Sequence, residues 1–257
     1  MQQTTLAERV QSSLVEECAF LACCSMHGRV LALPGVMVAI NPAMPDRSLF
    51  NGVTYESAGA LQEQYDAIAE AYEAAGVRAW SVRVRLGDAV TPSFLESGGH
   101  VRDHDTVAMA ALMGDLRLPS VRDMEWEETD DLRIIGAIND AAFGFPSAVF
   151  EAAFDRWPNS RWRGYIARVD NLPVSSLLTC DSPDGDCRMS GVATLPQCQG
   201  RGLATGLMAA ALRAAMSRGM TTTSVQADPS GTHGYARLGY RELGRMPVWE
   251  RRRSAVE

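Results

Sequence analysis

The stretch of residues 192–218 constrains the fold more than any other part of the chain. It reads VATLPQCQGRGLATGLMAAALRAAMSR: an apolar run breaks at a glycine-rich turn and resumes with Leu203, Leu207 and Ala211 at helical spacing. The pattern predicts a strand, a tight turn and a long helix, with residues 202–205 in the first helical turn. The chain is therefore expected to contain an α/β unit built around this segment.

The turn carries the spacing QxxGxA, with Gln199, Gly202 and Ala204 at its fixed positions. Free N–H groups of a first helical turn point outward together at the positive end of the helix dipole, so they form an anion site. Small residues at 200, 202 and 204 let a phosphate approach the backbone closely. The turn therefore predicts a diphosphate site, and the alternative is a tight turn without a ligand.

The elements around the turn follow a definite order. Residues 189–195 read as a strand ended by Pro196, the helix closes near Gly219, and residues 221–227 read as a β-branched strand. Tyr235 then stands four residues before the pair Gly239-Tyr240, and a strand pair is predicted over 241–251.

Both motifs, in this order, resemble those of the GNAT superfamily of acyl-CoA N-acyltransferases. The resemblance extends over about residues 124–253. It implies an α/β (α+β) GNAT fold, a mixed central sheet flanked by helices, and acetyl-CoA as the cofactor. It also implies direct attack of an amine on the acetyl group, without an enzyme nucleophile.

The resemblance assigns roles to particular positions. The strand before the loop would hydrogen-bond the pantetheine arm, and Tyr235 would donate a hydrogen bond or proton to the departing sulfur. The implied cofactor contacts are Val192, Ala193, Thr194, Gln199, Gly200, Arg201, Gly202, Leu203, Ala204 and Thr205.

The general base is less well defined. The strand that often supplies a glutamate in this family reads RMSGV here, without a carboxylate. Asp228, seven residues before Tyr235, is the candidate base, with His233 as an alternative and a solvated loop position as the simpler interpretation. Glu151 and Asp155, predicted at i, i+4 on one helix, are candidates for binding a cationic amine, unless that helix face is merely exposed.

The first half of the chain shows a similar succession of elements. It predicts helices at 5–24, 61–75 and 93–100 and strands at 36–40, 50–55, 79–84 and 106–112. The loop ESAGA before its second helix lacks the QxxGxA spacing. We therefore expect either a degenerate GNAT-like repeat without a pyrophosphate site or an unrelated α+β accessory domain.

This comparison divides the chain into an N-terminal domain at 1–120 and a catalytic domain at 121–257, with a linker over 118–131. Within the second domain the pattern predicts a helix at 131–142, capped by Thr129 or Asp130, and a helix at 145–157. Strands at 163–169 and 174–179 follow, joined by a turn at Asp170-Asn171.

Composition limits the class of partner. The net charge of −7 and the pI near 5.2 argue against a nucleic-acid surface. The N-terminal segment lacks a basic region, and Glu16 and Glu17 interrupt its apolar stretch, so neither a signal peptide nor a membrane span is predicted. The six cysteines show no metal-ligand spacing; we expect free thiols, no metal and a cytoplasmic protein.

Together these observations predict an N-acetyltransferase that acts on the amine of a small molecule. Acetylation of a peptide or protein N-terminus is the alternative enzyme activity, and a non-catalytic acyl-CoA sensor is the alternative from another class. The identity of the acceptor amine and the oligomeric state, a homodimer included, stay open.

Overall fold

The computed structural model describes residues 5–121, 124–145 and 148–253. Its contacts divide the chain into two compact units. The N-terminal unit comprises Leu14–Val107 together with the chain from Gly244 onward, and the C-terminal unit comprises the chain up to Ser13 together with Ala108–Leu243. The chain passes from one unit to the other within its first helix and within two of its strands.

The N-terminal unit has a sheet in the order β1-β2-β3-β4-β11. Strands β3 and β4 are parallel, and β11 pairs antiparallel with β4. The elements of the first half of the chain are α1 (Leu6–Cys23), β1 (Arg29–Leu33), β2 (Val36–Ile40), β3 (Gly52–Tyr55), α2 (Ala58–Ala74), β4 (Ala79–Arg83), α3 (Thr91–Ser97) and β5 (Val101–Leu112).

The core of this unit lies between the sheet and α2. Ile68 and Tyr72 of α2 are buried at helical spacing against Val38 and Val82 of the strands. The ring of Trp80 stacks on that of Tyr72 with centroids 4.9 Å apart. Each fully buried side chain of this size contributes about 1.5–3 kcal/mol to stability by its removal from water. The buried side chains of α2 therefore hold this helix on the sheet.

The C-terminal unit has a sheet in the order β6-β7-β8-β9-β10-β5. Strands β6 to β9 are antiparallel to their neighbours, whereas β9 and β10 are parallel. The elements of the second half are β6 (Glu125–Thr129), α4 (Leu132–Phe143), α5 (Val149–Ala153), β7 (Trp162–Val169), β8 (Leu172–Asp181), β9 (Asp186–Thr194), α6 (Leu203–Ser217), β10 (Thr222–Ala227), α7 (Thr232–Leu238) and β11 (Arg241–Arg252).

Helices α4 and α5 meet at their backbones. A β-carbon on Gly136 of α4 would lie 2.7 Å from the Glu151 nitrogen, so only glycine permits this approach. The buried carboxylate of Asp140 accepts hydrogen bonds from the backbone N–H groups of Val149, Phe150 and Glu151 at 2.9–3.0 Å. Asp140 therefore supplies the hydrogen-bond acceptor for the free N–H groups at the start of α5, where no side chain of that segment provides a cap.

Several predicted elements need correction in the first half. Strand β1 was not predicted, because three of its five residues are exposed and it lacks a buried face. Helix α2 begins three residues before the predicted start, since Ser57 caps it by accepting from the Ala60 N–H group. Strand β5 begins at Val101 rather than near 106.

The second half needs corrections too. Helix α4 is capped by Asp131, not by Thr129 or Asp130. Of the helix predicted at 145–157, residues 146 and 147 lie outside the described part of the chain, and the described residues form only the five-residue α5. The acidic segment assigned to a linker forms β6, whose Glu127 and Glu128 pair with arginines of β7. One continuous strand, β11, replaces the strand pair predicted over 241–251.

Several of the predicted elements are confirmed. Helix α1 and strands β2 and β10 match within one residue, and Asp170 and Asn171 form the predicted turn with positive φ angles. All six cysteines are free. Cys180 and Cys187 do not face each other, because Cys180 lies opposite Arg188 and Cys187 opposite Asp181. In the part of the chain that the structure describes, no helix is both long and apolar enough to cross a bilayer.

The succession of elements in the two halves is the same. The order β1-β2-β3-α2-β4-α3-β5 is repeated by β7-β8-β9-α6-β10-α7-β11, and in each series the third and fourth strands are parallel. This supports the interpretation of the first half as a repeat of the second. The division into domains at residue 120 stays a prediction, since the compact units are defined by contacts and exchange chain segments.

Candidate cofactor-binding site

The loop between β9 and α6 has the backbone shape of an anion site. Gly200 and Gly202 adopt φ angles of 75° and 78°, a left-handed conformation that favours glycine. A β-carbon on either glycine would meet no atom within 4 Å, so the positions face open space. Helix α6 then starts at Leu203 without a side-chain cap, which leaves its first N–H groups available to a ligand.

This loop borders an open cleft of about 540 Å³. Nine of the ten predicted cofactor contacts line it, which brings the strand end and the loop together. The residues that line the cleft are Val192, Ala193, Thr194, Cys198, Gln199, Gly200, Gly202, Leu203, Ala204, Thr205 and Arg237. The tenth predicted contact, Arg201, instead lines an adjoining cavity of about 530 Å³ together with Arg168; Gly202 and Leu203 line both spaces.

Gln199 lines the cleft, and its side chain also forms a hydrogen bond within the protein. Its side-chain nitrogen donates to the backbone oxygen of Thr194 at 3.2 Å. This bond ties the loop back to the last residue of β9. The glutamine therefore shapes the anion site, whose N–H groups come from the backbone.

Strands β9 and β10 separate beside the cleft. Their parallel register covers Asp186–Arg188 against Thr222–Ser224, although β9 continues to Thr194 and β10 to Ala227. On the other side, β9 stays paired with β8, and the Leu195 N–H group donates to Val174. Because successive peptide groups of a strand point to opposite sides, the Thr194 N–H group faces the edge where β10 has diverged.

The hydroxyl groups beside this edge are ordered. Ser175 donates to the Ala193 oxygen at 2.8 Å, and its oxygen lies 2.8 Å from that of Thr194. A serine hydroxyl has one hydrogen, so Thr194 must donate to Ser175. The remaining lone pairs of the Thr194 oxygen are therefore acceptors on the wall of the cleft.

Tyr235 and Asp228 lie outside the set of residues that lines this cleft. Tyr235 is buried on α7, with its ring 5.5 Å from that of Tyr240 in an edge-to-face contact. The Asp228 carboxylate accepts from the Ser230 N–H group at 2.8 Å and from its hydroxyl, so it shapes the turn before α7. His233 is exposed on α7. Their catalytic roles stay predictions.

Arg237 is a cleft residue that the sequence reasoning missed. It stands in the last turn of α7, two residues after Tyr235, and its exposed side chain lines the cleft. A cation near a diphosphate strengthens binding by charge-assisted hydrogen bonds. No distinctive pattern in the sequence marks this position, because a single arginine near a helix end is common.

The proposed amine-binding carboxylates do not share a helix. Helix α5 ends at Ala153, so Glu151 lies on it whereas Asp155 lies beyond it and faces Arg133 at 3.8 Å. The i, i+4 pair predicted there is therefore wrong. Among the described residues, no group of three or more His, Cys, Asp and Glu side chains could hold a metal ion.

The site thus consists of two parallel strands that separate beside a loop with two left-handed glycines, in a mixed sheet flanked by helices. Residues 119–240 match the model of the acetyltransferase (GNAT) family. The chain therefore contains a GNAT-family acetyltransferase domain, and the resemblance seen in its motifs is confirmed.

Solved structures extend the likeness in fold to nearly the whole chain. A GCN5-related N-acetyltransferase from Kribbella flavida aligns with a TM-score of 0.72 and 16% identity over 98% of both chains. An acetyltransferase of the GNAT family from Novosphingobium aromaticivorans gives 0.60 and 19% over 92% of this chain and 98% of its own. A tandem GNAT protein from the clavulanic acid biosynthesis pathway gives 0.62 and 10% over 97% of both. The comparison with curated proteins found no match.

Proposed function

We propose that the protein is an acetyl-CoA-dependent N-acetyltransferase that acts on the amine of a small molecule. The observation that carries the proposal is the cleft, which is lined both by an uncapped helix start and by the part of β9 beyond its register with β10. The helix start fits a diphosphate, and the strand edge fits the amide groups of a pantetheine arm. Acetyl-CoA contains both groups, separated along one extended molecule.

In this proposal, different residues of the chain bind different parts of acetyl-CoA. The Gly200–Gly202 loop and Arg237 would hold the diphosphate, and the Thr194 N–H group would hold the pantetheine arm. Positioning of the amine against the acetyl carbon would supply most of the rate enhancement. Tyr235 would donate a hydrogen bond to the sulfur as the thiolate leaves.

The acceptor is expected to be a weakly basic amine. Beyond the buried Asp186 at its start, β9 carries no carboxylate that could accept the amine's proton. At pH 7, deprotonating an amine of pKa near 10.4 costs about 4–5 kcal/mol, whereas an amine of pKa near 8 costs only about 1 kcal/mol. A site without a strong base therefore favours α-amino groups over lysine-like amines.

Release of free CoA from acetyl-CoA, measured by a thiol reagent, tests the proposal. The panel should pair amines of similar size with pKa values near 8 and near 10, and should include short peptides with free N-termini. We expect amine-dependent release with at least one small amine, faster for the less basic member of each pair. Release with peptides alone would favour N-terminal acetylation. Tight acetyl-CoA binding without release on any amine would favour an acyl-CoA sensor.

A further inference from the structure

Strand β9 carries an irregularity directly before the residues that line the cleft. Ser176 of β8 lies opposite Ala193, whereas Leu178 lies opposite Ser190. Two residues of β9, Gly191 and Val192, therefore face the single residue Leu177. This is a β-bulge, and such bulges bend the strand and turn the following groups. Gly191 adopts a φ of 56°, which a glycine accepts without strain.

The side chain of Asn139 on α4 contacts both strands at this bulge. Its side-chain nitrogen donates to Ser176 Oγ at 3.2 Å and lies 3.4 Å from the Gly191 oxygen. The same nitrogen bonds the Ile135 oxygen, one helical turn earlier, at 2.9 Å. Asn139 is 1% exposed, so these bonds are shielded from water. The amide thus links the helix to the two strands at the point where their register changes.

Burying a polar side chain costs free energy unless its donors and acceptors form hydrogen bonds. An apolar residue would serve equally well if α4 only needed to cover the sheet, as Ile135 does. The amide instead reaches the carbonyl of Gly191, one of the two residues of the bulge, at 3.4 Å. Its position is therefore explained by the bulge.

We propose that Asn139 is a positioning residue for the acyl donor. By holding the Gly191 carbonyl and Ser176 together, it fixes the bulge and so the direction of the Val192 and Thr194 N–H groups at the cleft. It touches neither the loop at 199–205 nor the cleft itself. This inference rests on the proposed binding of acetyl-CoA, and it concerns the pantetheine half of that molecule only.

The test compares two ligands by calorimetry: acetyl-CoA, and 3′-phospho-ADP, which has the nucleotide and diphosphate but no pantetheine arm. Asn139→Leu keeps about the same volume and removes the donors. We expect it to weaken acetyl-CoA binding about tenfold, the cost of misplacing one or two hydrogen bonds, and to leave 3′-phospho-ADP binding within about twofold. Ser176→Ala, a milder change that leaves no large cavity, should shift the ratio of the two affinities in the same direction by about threefold.

Asp140→Ala is the matched control. It also removes a buried hydrogen-bonding side chain from α4, but its partners are on α5. It should lower the melting temperature without changing the affinity ratio. The positioning role would be overturned if Asn139→Leu and Ser176→Ala weakened the binding of both ligands equally. It would also be overturned if they changed neither affinity. If the wild-type protein bound acetyl-CoA no more tightly than 3′-phospho-ADP, the pantetheine arm would contribute nothing to binding. That result would overturn the proposed function itself, and this inference with it.

Discussion

At the scale of single residues, the cleft combines backbone groups fixed by glycines with a few side chains of opposite character. Gly200 and Gly202 present N–H groups, Arg237 presents a cation, and Thr194 presents hydroxyl lone pairs. The first two suit phosphate oxygens, and the third suits an amide N–H or an amine. Side chains can be changed at Gly202 and Arg237 without a clash in the buried core, since these positions face open space or solvent; at Gly202 any side chain strains the left-handed backbone.

Replacing Arg237 with glutamine should weaken acetyl-CoA binding about fivefold, close to 1 kcal/mol, because an exposed cation contributes less than a buried one. The loss should shrink in high salt, which screens the charge. Arg201→Gln is the control, because Arg201 lines the neighbouring cavity. Titrations of both variants at low and high salt check this; equal losses in the two would remove the special role of Arg237.

Tyr235→Phe should lower turnover about 100-fold to 10,000-fold, the usual range for a lost general acid, with little change in acetyl-CoA affinity. The variant keeps the ring contact with Tyr240. Steady-state kinetics with the best amine from the panel, together with calorimetry, separates the two effects. Unchanged turnover would show that Tyr235 is only a packing residue.

At the scale of elements, the arrangement of the C-terminal unit depends on the hydrogen bonds that join α4 to its neighbours. Asn139 joins it to β8 and β9, and the next residue, Asp140, joins it to α5. Neighbouring side chains on one helix thus stabilise different elements. A short helix such as α5 has little stability of its own, so its position depends on these tertiary bonds.

Asp140→Ala should lower the free energy of unfolding by about 2 kcal/mol, because three N–H groups at the start of α5 lose their acceptor. Asp140→Asn, which keeps one carbonyl oxygen, should lose less. Urea denaturation of the three proteins gives the comparison. A loss below about 0.5 kcal/mol in the alanine variant, within the range of ordinary surface changes, would contradict the capping role.

Strand β5 begins beside a histidine whose burial predicts a pH dependence. Burial lowers the pKa of His100 to about 4. Its Nε2 atom lies 2.9 Å from the Tyr65 hydroxyl, and its ring lies 4.6 Å from that of Trp80. Between pH 6.5 and 4 the unfolded chain binds a proton at this position and the folded chain does not. The folded state therefore loses stability as the pH falls through this range.

His100→Gln removes that proton uptake. Relative to the variant, the wild-type protein should lose about 2 kcal/mol between pH 7 and pH 4.5. Denaturation curves at several pH values measure the difference, in which carboxylates common to both proteins cancel. Parallel pH profiles of the two proteins would contradict the lowered pKa.

The parts of the fold that the sequence predicted well are those with strong local signals. Helix α6 and strand β10 have apolar periodicity and glycine boundaries, and the loop between β9 and α6 has its own motif. The errors arose where tertiary contacts decide the structure. The acidic β6 is a strand because arginines of β7 pair with it, and α5 begins at Val149 because Asp140 caps it from another helix.

The candidate site divides in the same way. The resemblance predicted ten contacts in the strand end and the loop, and nine of these residues line one cleft. Sequence spacing could not reveal the hydrogen bond from Gln199 to Thr194 or the one from Asn139 to Gly191. Each links a side chain to a backbone oxygen that only the folded chain brings near it. Arg237 was missed because a single arginine near a helix end has no distinctive pattern.

At the scale of the whole molecule, the two halves share an order of elements but not a binding loop. In the C-terminal unit, α6 starts after two left-handed glycines and has no side-chain cap. In the N-terminal unit, α2 starts at Ala58 and its cap is the Ser57 side chain. That hydroxyl occupies one N–H group at the helix start, and the loop before α2 lacks the QxxGxA spacing, so we predict that the first half has no diphosphate site. One chain should therefore bind one acetyl-CoA.

Calorimetric titration with acetyl-CoA tests this account most directly, on the wild type and on Gly202→Glu and Gly202→Gln. The two variants have the same shape and the same backbone strain, and they differ only in charge. We predict one equivalent bound by the wild type, and binding to the glutamate variant at least about tenfold weaker than to the glutamine variant, because a carboxylate at a helix start repels the diphosphate. Two equivalents, no binding, or equal affinities in the two variants would contradict a single site at this loop.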